Sequence, residues 1–229
     1  MKILSIETTD KHGSVALLDG ERVLRETFLP TTGRSAKTLA PALDRLLREE
    51  RRNPAEVEAV AVVVGPGSFT GLRVGVATAK TFAYAAGAKV VAVDTMRTVA
   101  AGFRDAGNTI RFLSVGVDAQ RGAVVAQTFE LSPHGPLPVS ERRLIAAADW
   151  WTEENRYPQL VFTGPALERF RIQSSEGTIL ADESFWFPRA SVAGRLAAAR
   201  LIAGESDDLW SLVPIYSRLS AAEERLHGC

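Results

Sequence analysis

The chain has 229 residues, enough for one large domain or two small ones. Hydrophobic residues make up 46% and charged residues 24%, the balance of an ordinary globular protein, and 27 basic against 27 acidic side chains argue against a general nucleic-acid binder. The single cysteine, Cys229, excludes an internal disulfide and a cysteine-based metal site and points to a reducing compartment. The opening M-K-I-L-S-I-E is too short for a signal peptide and no stretch approaches a membrane span, so the cytoplasm is the expected location.

In chain order, residues 2–6 and 13–17 read as a pair of strands. Asp19-Gly20 is a strong hairpin turn, and 22–29 is a third strand. Residues 35–52 are helical, with Leu39, Ala42, Leu43, Leu46 and Leu47 on one stripe. Pro41 either kinks that helix or marks its true first turn. Asn53-Pro54 caps a short helix. The next stretch, 60–87, is the most telling. Val60 to Val64 is apolar throughout and mostly β-branched, as in a strand buried on both faces. It ends at Gly65-Pro66-Gly67, and Ser68 and Thr70 stand ready to cap a long small-residue helix, 72–86, that stops at Gly87.

A buried strand, a glycine turn and a helix start together make a candidate anion site at Gly65, Gly67, Ser68 and Gly71. The spacing is neither a Walker A loop nor a dinucleotide fingerprint, since G-x-G-x-x-x-G is one residue too long for the latter and Leu72-Arg73 stands where the former needs Lys-Ser/Thr. The plain alternative is a tight turn feeding a strand into a helix. Residues 89–93 are a further strand and 95–103 a helix, so three meandering strands give way to strand–helix alternation and a mixed sheet.

Residues 102–108 divide the chain. Beyond them strands are expected at 112–118, 123–129 and 137–142, with a turn at 133–136. A helix is expected at 146–154, a strand at 160–163, a helix at 191–203 and an extended tail at 213–218, with Ser220 capping a last helix. Lys2-Ile-Leu-Ser-Ile6 resembles Arg111-Phe-Leu-Ser-Val115, and Gly13-Ser-Val15 resembles Gly122-Ala-Val124, at the same offset of 109 (111 − 2 and 122 − 13). Two matches in one register indicate duplicated lobes, each opening with a hairpin. The lobes are read as 1–104 and 105–208, with 209–229 returning to the first.

Two hairpin-led α/β lobes resemble the actin/Hsp70/sugar-kinase superfamily, whose lobes are duplicated RNase H-like units. A closer likeness is carried by Ile6-Glu-Thr-Thr9 with Ser14-Val-Ala-Leu17, by Gly65-Pro-Gly-Ser-Phe-Thr-Gly-Leu-Arg73, by Asp118-Ala-Gln-Arg-Gly122 and by Pro214-Ile-Tyr-Ser-Arg218. Together these resemble the bacterial TsaB family, also called YeaZ. The likeness is tightest before Asp94 and loose between Ser132 and Leu209. It departs at Arg34-Ser35 and Leu39-Ala40-Pro41, and at Gln120 and Val125. It implies a role in forming N6-threonylcarbamoyladenosine at position 37 of ANN-decoding tRNAs, as a non-catalytic partner and dimerisation subunit that activates the related enzyme TsaD. It further implies an ATPase partner, TsaE, a homodimer when alone, and only an indirect or weak contact with tRNA.

Chemistry by the chain itself has little to work with. TsaD-type catalysis needs a metal held by H-x-x-x-H, and rough alignment puts those positions at Thr95 and Val99. His12, His134 and His227 are scattered. No nucleophile elbow is present, so no catalytic residue, cofactor or metal is expected. The alternative is a nucleotide-dependent phosphotransferase working from Glu7 and Asp118 at the ends of the two lobe-opening strands. Against it, both carboxylates fit as turn caps, and Phe162-Thr-Gly-Pro165 offers one glycine and a proline where adenine binding in this fold uses a glycine pair. The partner surface is expected on the two helices, at Leu39, Leu43, Leu46, Leu47, Val74, Val76, Ala79, Phe82 and Ala83, and association is expected to fail with a charge at Ala79 or Leu43. The basic edge of the first helix, Arg34, Lys37, Arg45, Arg48, Arg51 and Arg52, alternates with Asp44, Glu49 and Glu50 as a solvated face does.

Overall fold

The computed structural model describes residues 1–31, 35–105, 110–174 and 177–217. The last helix expected after Ser220, with Arg34, Arg218, His227 and Cys229, lies outside them.

The first lobe is a five-stranded sheet in the order β3-β2-β1-β4-β5, built from β1 (Lys2–Glu7), β2 (Ser14–Asp19), β3 (Arg22–Phe28), β4 (Ala59–Gly65) and β5 (Lys89–Asp94). β1, β2 and β3 meander antiparallel, while β4 and β5 run parallel to β1. The second lobe repeats this plan with β6 (Phe112–Asp118), β7 (Ala123–Ser132), β8 (Gly135–Pro138), β10 (Val161–Thr163) and β11 (Ile179–Leu180), ordered β11-β10-β6-β7-β8, and with β9 (Arg143–Ala146) also on β7. Read from the meander side, the two orders are the same. β2 and β7 begin 109 residues apart, Ser14 and Ala123, at the offset of the sequence repeat. Strand pairing thus bears out the duplicated α/β lobes.

α1 (Ser35–Glu49) and α2 (Phe69–Ala86) cover one face of the first sheet. α1 runs unbroken through Pro41. Its stripe at helical spacing is core: Leu39, Leu43, Leu46 and Leu47 pack with Leu4, Ile6, Val15 and Val62. Asn53 caps the short 3₁₀ turn Pro54–Glu56 in a capping box, its Oδ1 accepting from the Ala55 amide at 3.0 Å while Glu56 accepts from the Asn53 amide at 2.7 Å. Ser68 caps α2, and Gly87 ends it in the left-handed region at φ +66°.

The other face is covered from an unexpected place. Sequence order assigns 191–203 to the second lobe, but α6 (Ala190–Ile202) packs on the first sheet. Its alanines 190, 193, 197 and 198 lie on Ile3, Ala16, Leu18 and Ala61. The helix can come this close because its inner face is nearly bare; a Cβ on Gly194 would run into Leu18. β3 supplies what the helix start lacks. Glu26 accepts from the Ser191 amide and hydroxyl, each at 2.9 Å, and from Arg189, while Ser14 Oγ accepts from the Ala190 amide at 2.8 Å. The chain then returns along the first lobe through residues 207–217.

In the second lobe α3 (Thr95–Asp105), α4 (Ala147–Trp150) and α5 (Leu167–Phe170) pack around β6, β7 and β10. The helix expected at 146–154 is only the single turn of α4 followed by a 3₁₀ stretch, Trp151–Arg156. The strand expected at 137–142 is divided between β8 and β9.

Replacing Glu26 with alanine strips α6 of its partner on β3 and leaves Arg189 unpaired. Chemical denaturation of Glu26→Ala is expected to show a loss of about 1–3 kcal/mol. Unchanged stability would mean that α6 is held by its packing alone.

Candidate functional site

A cleft of about 1010 Å³ opens between the lobes at the C-terminal ends of β1 and β6. Its first-lobe wall is the turn after β1 (Thr9, Asp10, Lys11) and the start of α2 (Gly67 to Thr70); its second-lobe wall runs from Val117 to Arg121 and includes Glu168 and Arg169. Lys11 Nζ and Glu168 Oε1 meet across it at 2.5 Å. This position, outside the carboxyl ends of the strands, is where open α/β sheets place their sites.

The glycine string is used for close packing. The β1 turn lies against the start of α2, and Ser68 donates its amide to Thr9 O at 2.7 Å. Thr8 Oγ1 donates to Gly71 O at 2.8 Å. A Cβ on Gly67 would sit 2.5 Å from Thr9 O, and one on Gly71 would collide with Thr8 O. Gly65 meets the backbone of Ile215 in the same way. The Ser68 hydroxyl, expected to face an anion, accepts from the Gly71 amide at 3.3 Å. The expected anion site is therefore occupied on one side by the protein's own backbone.

The two carboxylates of the phosphotransferase alternative lie at different depths. Asp118 lines the cleft, accepting from the Gln120 amide at 2.7 Å and lying 3.4 Å from Arg169. Glu7 is wholly buried beneath the floor, its Oε1 accepting from the Thr9 amide and hydroxyl at 2.5 Å each. Both are turn caps, and a phosphotransferase base at Glu7 would have no route to substrate. Gly164 lies against β6, where an added Cβ would meet Gly116 O, and Ala166 rather than a ligand donates to that carbonyl at 3.1 Å.

α3 starts at the cleft. Thr95 lines it, buried, with its hydroxyl unpartnered among the described residues, while Val99 belongs to the second-lobe core. These positions carry one hydroxyl and one isopropyl group, a donor set that does not fit a divalent cation. Among the described residues no group of three His, Cys, Asp or Glu side chains converges.

The helical surface also requires a correction. Leu39, Leu43, Leu46, Leu47, Val76, Ala79 and Ala83 are all 5% exposed or less, and Val74 and Phe82 are half-buried beside the same core. The seven buried positions cannot form an exposed patch, because the sheet already consumes the apolar stripe of both helices. A charge at Leu43 or Ala79 would strike the core. What α2 leaves outward is a different stripe, Arg73, Ala77, Thr81 and Tyr84. Beside it runs the returning segment, held by Ile215 N to Val64 O at 2.7 Å, by Lys80 to the carbonyls of Trp210 and Leu212, and by Arg73 to the Tyr216 hydroxyl. Tyr84 is 68% exposed and stacks edge-on with Trp210, itself 71% exposed; Val213 and Ile215 continue the ridge. On the basic edge of α1, Arg45 pairs with Glu49 and Arg48 with Asp44 within the helix.

Two duplicated α/β lobes around such a cleft make the two-lobed fold expected from the hairpin-led repeats. Over residues 31–151, just over half of the chain, the sequence matches the family model described as TsaD: tRNA N6-adenosine threonylcarbamoyltransferase. It is 29% identical over 230 residues to the tRNA threonylcarbamoyladenosine biosynthesis protein TsaB of Bacillus subtilis (strain 168), covering 98% of this chain and 97% of that protein. To the protein of the same name from Escherichia coli (strain K12) it is 24% identical, covering 100% and 99%. The solved structure of YeaZ from Pseudomonas aeruginosa superposes with a TM-score of 0.79 at 23% identity over 94% of this chain and 99% of that one, a likeness of fold. The chain belongs to this threonylcarbamoyladenosine family and, within it, to TsaB (YeaZ).

Gly71→Ala tests the packing role of the glycine string. Overpacking against Thr8 is expected to lower stability by about 1–3 kcal/mol, read as a lower thermal midpoint. An unshifted midpoint would return Gly71 to the anion-site reading.

Proposed function

We propose that the chain is a non-catalytic partner subunit in the formation of N6-threonylcarbamoyladenosine at position 37 of ANN-decoding tRNAs. It activates a TsaD-type catalytic subunit by pairing with it, forms a homodimer when alone, works with the ATPase TsaE, and touches tRNA only indirectly or weakly. The single observation that carries this reading is the outward face of α2. Small residues, Ala77 and Thr81, lie between the exposed aromatic rings of Tyr84 and Trp210 and the half-buried Val74 and Phe82. A small-residue stripe lets a second helix approach closely, and exposed aromatic residues at its margin are the usual anchors of an interface. The partner of matching shape would be the same face on a second copy, or its counterpart in a protein built on the same lobe. The match of residues 31–151 to the TsaD model supports such kinship, since that stretch contains α1 and α2. Thr95 and Val99 support the non-catalytic part, because the cleft helix offers no metal-binding pair. The anion turn at Gly65, Gly67, Ser68 and Gly71 then serves to seat α2 for pairing.

Size-exclusion chromatography with light scattering, on the chain alone and mixed with TsaD from its own organism, tests the reading. A homodimer that gives way to a stable one-to-one complex is expected. Ala77→Arg should weaken that complex by roughly thirtyfold or more, the effect of a disrupted hot spot of about 2 kcal/mol, with an unchanged circular dichroism spectrum. Ala79→Arg, one turn position inward, should instead unfold the chain. Equal binding by wild type and Ala77→Arg would place the interface elsewhere, and the lack of any complex would refute the partner role.

A further inference from the structure

Glu7 has no part in the pairing proposed above, yet its surroundings are unusual for an acid. Oε2 has no partner among the described residues, and neither does the buried hydroxyl of Ser5 two residues earlier on the same strand face. The charged groups set against it are Asp10, in the turn that follows, and Glu26 on β3, both carboxyl groups. At the start of α6, Arg189 is taken by Glu26 at 2.5 and 3.0 Å. Lys11 and His12 turn away to Glu168. Burial raises the Glu7 carboxyl to about 8 although the two Thr9 hydrogen bonds oppose it, and Asp10 and Glu26 add to the rise.

The turn that Glu7 holds, residues 8–13, is also the joint between the lobes. Lys11 reaches Glu168 of α5 at 2.5 Å, His12 Nε2 lies 3.8 Å from the same carboxylate, and the His12 ring stands 4.0 Å from that of Phe187. On its other side the turn is pinned to α2 through Thr8 and Thr9. Water lies beyond Thr9 and Asp10, which line the cleft. An ionised Glu7 can regain hydration only by displacing that turn. We propose that Glu7 is a proton-operated latch on the cleft: its acid form holds the 8–13 turn against the second lobe, and loss of the proton weakens that hold and loosens the joint. Glu7 is a positioning residue here, acting through the turn.

The sign follows from linkage. The closed form binds the proton more tightly than an opened turn, whose carboxyl has its ordinary value near 4.5. Opening therefore becomes easier as pH rises from 4.5 to about 8 and levels off above that. Hydrogen exchange on the full chain, corrected for intrinsic rates from about pH 5.5 to about 9.5, should show protection of residues 8–13 falling by up to roughly tenfold per pH unit until the plateau. The peptide bearing Glu168 should lose protection in parallel. Glu7→Gln, a neutral isostere, should keep both segments protected to the same degree at every pH. If that variant does not fold, Thr9→Val serves instead. It removes a hydrogen bond that favours the charged form, so the plateau should move to higher pH. Wild-type protection independent of pH, a pH slope that survives in Glu7→Gln, a plateau unmoved in Thr9→Val, or a turn that loosens without Glu168 following would each overturn the latch.

Discussion

The backbone of Thr8 and Thr9 lies directly on the first turn of α2, and most of the architecture follows from that contact. The β1 turn and the glycine loop after β4 approach until no side chain fits at Gly67 or Gly71. Hydrogen bonds then run both ways, from Ser68 to Thr9 and from Thr8 to Gly71. This fixes the start of α2 over the end of β1, which in turn aims the helix along the sheet and sets which of its faces is buried. It also uses the amides and the space that would otherwise greet a phosphate. A glycine-rich strand–helix turn is thus compatible with two opposite roles, and the decisive fact is whether another part of the chain fills the concavity.

Much of the fold was legible in the sequence, because hydrophobic period and capping chemistry act locally. The all-apolar Val60–Val64 run, the Ser68 cap, the Gly87 stop and the Asn53-Pro54 cap all stand where local chemistry put them. The repeat at offset 109 carried the topology, since two strand starts in register predict two like sheets. The failures are of another kind. Sequence order puts α6 with the second lobe because its alanines specify closeness to some sheet but not to which one. A sequence shows that a stripe is apolar, not how many stripes the sheet will take, so Leu39 through Leu47 and Val76 through Ala83 are core where a surface is expected. The ridge of Tyr84 and Trp210 joins residues far apart in the chain, so no local pattern could reveal it. Glu7 and Asp118 sit at matching strand ends, and only the depth of each decides that one is sealed and the other wet.

The two lobes share a plan but have diverged in what closes their sheets. In the second lobe Ser114, the repeat partner of Ser5, accepts a hydrogen bond from the Trp150 indole at 2.9 Å. That bulky ring fills the face over β6, where Gly116 makes room for it. In the first lobe the same face is covered by α6, which brings alanine and glycine and no polar side chain to Ser5. Among the described residues the hydroxyl is left without a partner, and the carboxyl two residues on has bonds to one oxygen only. A large aromatic residue satisfied its strand partner; a bare helix could not. The buried acid of the first lobe is therefore a consequence of borrowing α6 from beyond the second lobe. The same borrowing ties the lobes together at Glu26 and Arg189 and returns the chain along α2, where it builds the exposed ridge. One topological choice accounts for both the buried acid beneath the cleft and the exposed ridge along α2.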